Sequence, residues 1–319
     1  MDFAAVERAR TLLREYFPPS RLVPAPSLSA ASGAEIRLKL ESELPTGSFK
    51  VRGALATLHA RRERGALAGV VTASTGNHGA GISWAARRMG IPAAIFLPQN
   101  PNPAKRARIA ALGAEIVEAG RDLDESRTYA AKFAAGCGWP LIVDGQDPLM
   151  LPGTATIACE ILDEWPETEV IFVPVGDSTL IRGLAFAAKH LAPRVRIVGA
   201  QAERAPAYFR SWKECRVVTT EACDTIADGL ATRCPVEENV REMRALVNEM
   251  RLVSEEELLG AVWQLLAEEH VVAEPAGAAA TAALVQSGRE LAGRNVVLLV
   301  TGANIPPATL REAALRSST

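Results

Sequence analysis

Four short segments concentrate the residue types that bind anions or exchange protons. Thr46 to Ala54 reads TGSFKVRGA and sets Lys50 just after a glycine-bearing loop, at the expected start of a helix running toward His59. Phe49 and Val51 flank it, and partial burial between such groups depresses an amine pKa, which makes a lysine a usable nucleophile or base. Taken alone, Lys50 also reads as an ordinary solvated helix residue, so its neighbours have to decide. Ser74 to Gly79 reads STGNHG and lies between a strand and a helix, at the carboxyl end of the strand, where open α/β sheets bind ligands. The amides of that helix start, the Ser74 and Thr75 hydroxyls and the Asn77 amide make a cradle suited to a carboxylate. The plainer reading is a cap formed by Ser74 or Thr75. Val170 to Leu180, VIFVPVGDSTL, repeats the strand, turn and helix pattern with Gly176 at the turn, so its amides can hold a phosphate. Asp177, Ser178 and Thr179 are also ordinary caps. Thr301 to Asn304, TGAN, follows an apolar strand and offers one hydroxyl at its end.

The elements that must position these turns alternate. Residues 69–73, 93–97, 115–118, 141–144, 170–175, 196–200 and 295–300 read as buried strands. Residues 77–89, 103–112, 123–135, 154–165, 179–191, 237–250, 255–269 and 276–286 read as helices. Right-handed crossovers turn such a series into parallel sheet, so the fold class is doubly wound α/β. Segments 60–68 and 144–153 are polar or bear Gly and Pro, and they bracket one compact set of strand and helix units. Two domains are therefore expected, 1–68 with 146–319 as the larger and 69–145 as the smaller, with the site in the cleft between them.

Composition narrows the partners. The 319 residues carry 35 Lys and Arg against 37 Asp and Glu, a net charge of −2, so no basic excess points to nucleic acid or an anionic membrane. No continuous apolar span is long enough for a transmembrane helix, and the charged stretch from Met1 to Pro18 has no apolar core of a secretory signal. Five cysteines without paired spacing indicate neither a disulfide framework nor a zinc cage, which fits a cytoplasmic chain with reduced thiols. His59, His190 and His270 stand alone and receive no role. A small-molecule ligand is the expected partner.

The four turns, in this order, resemble those of the fold type II pyridoxal-phosphate enzymes, and specifically the threonine dehydratase and serine racemase branch. The likeness runs almost end to end. It includes RLKLE at 37–41, TIADGLA at 225–231 and EPAGAAATAAL at 274–284. The resemblance implies a tryptophan synthase β-like fold, two doubly wound open sheets with a cleft between them, in a homodimer. By it Lys50 binds pyridoxal 5'-phosphate covalently and Phe49 packs near the cofactor ring. Asn77 faces the ring's phenolic oxygen, Gly176, Asp177, Ser178, Thr179 and Leu180 hold the phosphate, and Thr301 meets the pyridine nitrogen. Ser74, Thr75, Gly76, Asn77 and His78 then bind the carboxylate of an amino-acid substrate. The implied activity is β-elimination from L-threonine or L-serine to a 2-oxo acid and ammonia. Alternatives are an amino-acid racemase, a dehydratase of another β-hydroxy amino acid such as 3-hydroxyaspartate, and a non-catalytic binding relative.

Departures from the branch carry information too. Where it has four consecutive glycines after Pro-Val, this chain reads Gly176, Asp177, Ser178, Thr179. Two unit charges about 4 Å apart at an effective dielectric near 20 repel by about 4 kcal/mol, so Asp177 is expected to turn away from a phosphate, into solvent or a cap. Metal-dependent members place a carboxylate pair where this chain has Gln201 and Ala207, so no metal site is expected. The chain ends soon after the Thr301 turn, so no appended regulatory domain, and no isoleucine feedback, is expected. Racemases of the branch have serine at the position of Thr75, and many dehydratases have alanine. Thr75 is expected chiefly to bind the carboxylate and to permit some racemisation.

Overall fold

The structure, a computed structural model, describes residues 1–316 other than 75, 102 and 122. Nine strands are found among the described residues: β1 (Leu22–Pro24), β2 (Glu35–Leu40), β3 (Val70–Ala73), β4 (Ala93–Leu97), β5 (Glu115–Glu118), β6 (Val170–Pro174), β7 (Arg196–Ala202), β8 (Glu249–Val253) and β9 (Asn295–Val300). They form two sheets, one of six strands in the order β1-β2-β9-β6-β7-β8 and one of three in the order β3-β4-β5. Every pairing is parallel except β1 with β2. Parallel sheets need cover on both faces, and the central strands are apolar on both. In β6 and β9, Phe172, Val296 and Leu298 enter one core while Ile171, Val173, Val297 and Leu299 enter another on the opposite face. The small sheet divides the same way, Val70 and Ile95 to one side and Val71 and Phe96 to the other.

The cover is helical. In chain order the helices are α1 (Phe3–Arg14), α2 (Pro26–Ser32), α3 (Lys50–Arg64), α4 (Asn77–Met89), α5 (Pro103–Ala111), α6 (Leu123–Cys137) and α7 (Leu151–Glu164). There follow α8 (Thr179–Leu191), α9 (Ala207–Glu214), α10 (Glu237–Leu246), α11 (Glu255–Ala267), α12 (Pro275–Gln286) and α13 (Pro307–Arg316). Among the described residues no helix is long and apolar enough to cross a membrane.

Two expected elements differ. Residues 141–144 make only a single bridge, Leu141 to Val71, rather than a strand. Gly145 then takes a left-handed φ of 78° and turns the chain out of the sheet, which carries Asp144 to the cavity described below. The helix expected over 237–250 stops at Leu246, and β8 occupies 249–253. Val240, Met243, Val247 and Met250 keep helical spacing across that boundary, so apolar periodicity cannot reveal it. Asn248 does: its backbone N–H donates to the Ile197 carbonyl and its Oδ1 accepts from the Ile197 N–H at 2.9 Å, a strand-like exchange that starts the pairing with β7.

One buried polar cluster fixes the helix that begins at Lys50. Arg52 is fully buried and donates to both oxygens of Glu41 (2.7 and 2.9 Å) and both of Glu160 (2.6 and 2.7 Å). Lys39 donates to Glu160 at 2.7 Å and to the Ser20 carbonyl at 2.6 Å. Burial alone would lower the Arg52 pKa, but Glu41 and Glu160 more than offset it and the guanidinium is held above its usual value. Two cations thus face two anions, joining β2, α3 and α7. Removing one partner of such a set leaves a buried charge uncompensated. Arg52→Ala is expected to lower unfolding free energy by about 3–5 kcal/mol in a denaturant titration. A loss below about 1 kcal/mol, the range of an exposed pair, would contradict this.

Candidate active site

The carboxyl ends of β3, β6 and β9 open on one cavity of about 540 Å³, and the Lys50 turn closes its floor. That is the size of a small-ligand or cofactor site. Its lining includes Phe49, Lys50, Ser74, Gly76, Asn77 and His78 from one side. The other side contributes Gly176, Asp177, Ser178, Thr179, Leu180 and Thr301. Every described residue that the resemblance assigns to cofactor or substrate therefore lines the same space. Thr75 lies outside the described residues.

Lys50 occupies the first position of α3, its ammonium 4.7 Å from the centre of the Phe49 ring and paired with Asp144. Asp144 also accepts from Thr179 Oγ1 and from the Gly145 N–H, each at 3.1 Å. Burial, the largest single influence, would raise its pKa, but Lys50, His78 and the Thr179 hydrogen bond together outweigh it and hold the carboxyl well below the usual carboxylate range. Sequence reasoning missed Asp144, because its segment was read as an ordinary buried strand. The one available signal was a charged residue at the end of an apolar run, immediately before a glycine.

At the STGNHG turn, Ser74 Oγ accepts from the N–H groups of Gly76 (3.3 Å) and Gly79 (3.1 Å). This is the capping role, and it leaves the hydroxyl hydrogen to donate into the cavity. Asn77 is held at both ends of its amide. Nδ2 donates to Glu274 Oε1 at 2.6 Å, and Oδ1 accepts from Asn304 Nδ2 at 2.6 Å. Asn304 Nδ2 also donates to the Thr46 carbonyl at 2.9 Å. This array couples the turn after β3, in the small sheet, to the turn after β9 in the large one. An amide nitrogen has two hydrogens, so one on Asn77 remains for a ligand. His78 is buried and its pKa lowered, chiefly by that burial.

The third turn begins α8 and is tightly built. A Cβ on Gly176 would stand 2.4 Å from the Gly229 carbonyl oxygen, so only glycine lets the two backbones approach. Ser178 adopts a left-handed φ of 68°, a conformation that costs a non-glycine residue about 1–2 kcal/mol. Its Oγ is buried without a hydrogen-bond partner. A strained residue presenting an orphaned hydroxyl to a cavity at a helix N-terminus fits a phosphate oxygen, which would satisfy that group. Asp177 turns neither into solvent nor into a cap, the two placements expected. It is half-buried, lines the cavity and accepts from Thr232 Oγ1 at 2.9 Å. Burial first, and Asp144 second, push its carboxyl up to about 6.

Among the described residues no group of three or more His, Cys, Asp or Glu side chains converges to hold a metal ion. Gln201 is buried, and its Oε1 accepts from the Phe209 N–H at 2.7 Å in the first turn of α9.

A family model described as pyridoxal-phosphate dependent enzyme matches residues 13–302. The chain belongs to that family, and its cofactor is pyridoxal phosphate. Among its relatives is an L-threonine ammonia-lyase of Thermotoga maritima, 35% identical over 300 residues, spanning 94% of this chain and 75% of the relative. The processed form of threonine deaminase isoform 2 from Solanum lycopersicum superposes with a TM-score of 0.92 at 29% identity, over 100% of this chain and 90% of that one. Maize serine racemase superposes with a TM-score of 0.91 at 27% identity, over 99% and 98%.

The contact at Gly176 leads to a direct expectation. Gly176→Ala must push the turn away from Gly229, so affinity for pyridoxal phosphate should fall at least about tenfold, a cost of about 1.4 kcal/mol. Absorbance titration of the apoprotein checks this, and unchanged affinity would contradict it.

Proposed function

We propose that this chain is an ammonia-lyase that converts L-threonine and L-serine to a 2-oxo acid and ammonia by β-elimination. The single observation that carries the reading is Lys50 at the floor of a cavity with two anion-binding helix starts, at 77 and 179. The names of the ammonia-lyase and deaminase relatives support it. The division into 1–68 with 146–319 and 69–145 is part of the same proposal, supported by the separation of the two sheets. So is a homodimer, supported by the family resemblance. The absence of paired cysteine spacing in the sequence supports a reducing, cytoplasmic setting.

When bound, pyridoxal phosphate supplies an electron sink for the bond broken at the substrate's α-carbon. Lys50 is the residue to carry it, with Phe49 alongside the ring. The amides of 176–180 and the Ser178 hydroxyl are the groups that would hold its phosphate, and the remaining Asn77 hydrogen would be available to its phenolic oxygen. Thr301 offers the ring nitrogen a neutral hydroxyl rather than a carboxylate. This makes the sink modest and favours prompt elimination over prolonged exchange at the α-carbon. The Ser74–His78 turn binds and orients the substrate carboxylate. Lys50, once free, is the base that takes the α-proton. The β-hydroxyl departs with a proton as water, balancing the α-proton taken by Lys50, and the enamine that remains is hydrolysed by one water to the 2-oxo acid and ammonia.

Two observations favour specific rivals. The similarity to maize serine racemase keeps racemisation as a second reading, at lower identity than the threonine ammonia-lyase relative. Arg108 and Arg127 line the cavity, which would suit the second carboxylate of 3-hydroxyaspartate. A panel of L- and D-serine, L- and D-threonine and threo-3-hydroxyaspartate separates them when ammonia, 2-oxo acid and chirality are all read. Equal amounts of ammonia and 2-oxobutyrate from L-threonine are expected. Inversion of serine without ammonia would overturn the lyase reading. Lys50→Ala should cut kcat by about a thousandfold or more if Lys50 is both anchor and base.

A further inference from the structure

Two carboxylates stand at the end of the cavity assigned to the phosphate. Asp144 is brought there by the irregular segment after the Leu141 bridge, and Asp177 belongs to the turn itself. The residue after Asp144 packs directly on Asp177, since a Cβ on Gly145 would lie 2.8 Å from the Asp177 carbonyl oxygen and 2.9 Å from its Cβ. Neither is placed to swing aside. Asn239, buried in α10, donates to the Gly145 carbonyl at 2.8 Å, while Thr232 holds Asp177 and Thr179 holds Asp144. The same turn contains the buried, unpartnered Ser178 hydroxyl, so it is equipped with a donor for an anion and with acids that repel one.

The surrounding charges do not remove the conflict. Lys50 from α3 and Arg127 from α6 favour ionised Asp177, but Asp144 opposes them, and burial outweighs each. Lys50 is already paired with Asp144. His78 from α4 is a poor countercharge at neutral pH, because burial holds it neutral. Asp228 adds another acid to the cavity wall, and Glu274 stands at the Asn77 side. In the free protein the Asp177 carboxyl, pushed up to about 6, is mostly ionised at pH 7.5. A dianionic phosphate beside Ser178 adds to the burial and repulsion that already favour the protonated form.

We infer that the Asp144 and Asp177 pair makes cofactor loading proton-coupled, one proton from solvent entering the pair as the phosphate enters the turn. Carried on Asp177, that proton turns a repelling acceptor into a hydrogen-bond donor toward a phosphate oxygen. Asp177 is thus a positioning residue for the cofactor. The inference rests on the cofactor reading of the cavity, and not on which amino acid is consumed.

The test uses pyridoxine 5'-phosphate, which keeps the phosphate and ring but cannot form an imine with Lys50. Isothermal titration of the apoprotein at pH 7.5, in buffers of different ionisation enthalpy, reads protons taken up on binding. The parent should take up close to one. Between pH 7 and 8.5, where the phosphate is already dianionic, its affinity should fall by up to about tenfold per pH unit. Asp177→Asn should bind with uptake near zero, a flat pH profile and higher affinity than the parent at pH 8.5. Asp177→Gly serves if the amide variant does not fold. Binding by the parent with no proton uptake, or equal uptake by parent and variant, overturns the inference and leaves the cofactor reading standing. No binding of pyridoxine phosphate by the parent overturns both.

Discussion

The structure depends on keeping one primary amine at a fixed place on the wall of a cavity. A lysine side chain is long and carries about 2 kcal/mol of rotamer entropy, so its backbone must be held firmly for the amine to work at one point. The Arg52 cluster does this. Two residues after Lys50, a guanidinium is clamped by two carboxylates, one before α3 and one on α7, with Lys39 balancing the charge. A buried ionic set is not an efficient way to gain stability, because desolvation offsets much of the attraction. Its value here is geometric, since a planar fork held bidentately on both sides fixes the first turn of α3 in direction as well as position.

Around that amine the ligand groups are mostly backbone. The first turns of α4 and α8 open on the cavity from the small and large sheets, and each brings backbone N–H groups to the carboxyl end of a parallel strand. Side chains then refine the two cradles. Ser74 caps one and Ser178 waits unpartnered in the other. The chain of Glu274, Asn77, Asn304 and the Thr46 carbonyl ties the α4 cradle to the loop before Lys50. Movement of the small sheet against the large one would stretch this chain, so a displacement at the α4 turn is transmitted to the loop before Lys50.

Much of this was legible in the sequence where local chemistry and periodicity agree. The strand, turn and helix units around 74–79 and 170–180 could be read because apolar runs end there in Gly, Ser, Thr and Asn. What could not be read depends on distant partners. Asp144 lies some hundred residues from Lys50 in the chain, and nothing in the spacing joins them. The bounds of α10 and β8 were hidden because Val247 and Met250 prolong a helical pattern that Asn248 breaks by pairing with Ile197. Asp177 was expected to avoid the cavity on charge alone. Thr232, fifty-five residues on, supplies the hydrogen bond that keeps it there.

The central claim is that the ε-nitrogen of Lys50 is the atom that binds pyridoxal phosphate. Borohydride reduction of the holoprotein followed by peptide mass mapping tests it most directly. A pyridoxyl group on the peptide containing Lys50, with the other lysines unmodified, is the expected result; a label on a different lysine, or none after reconstitution, would contradict the account.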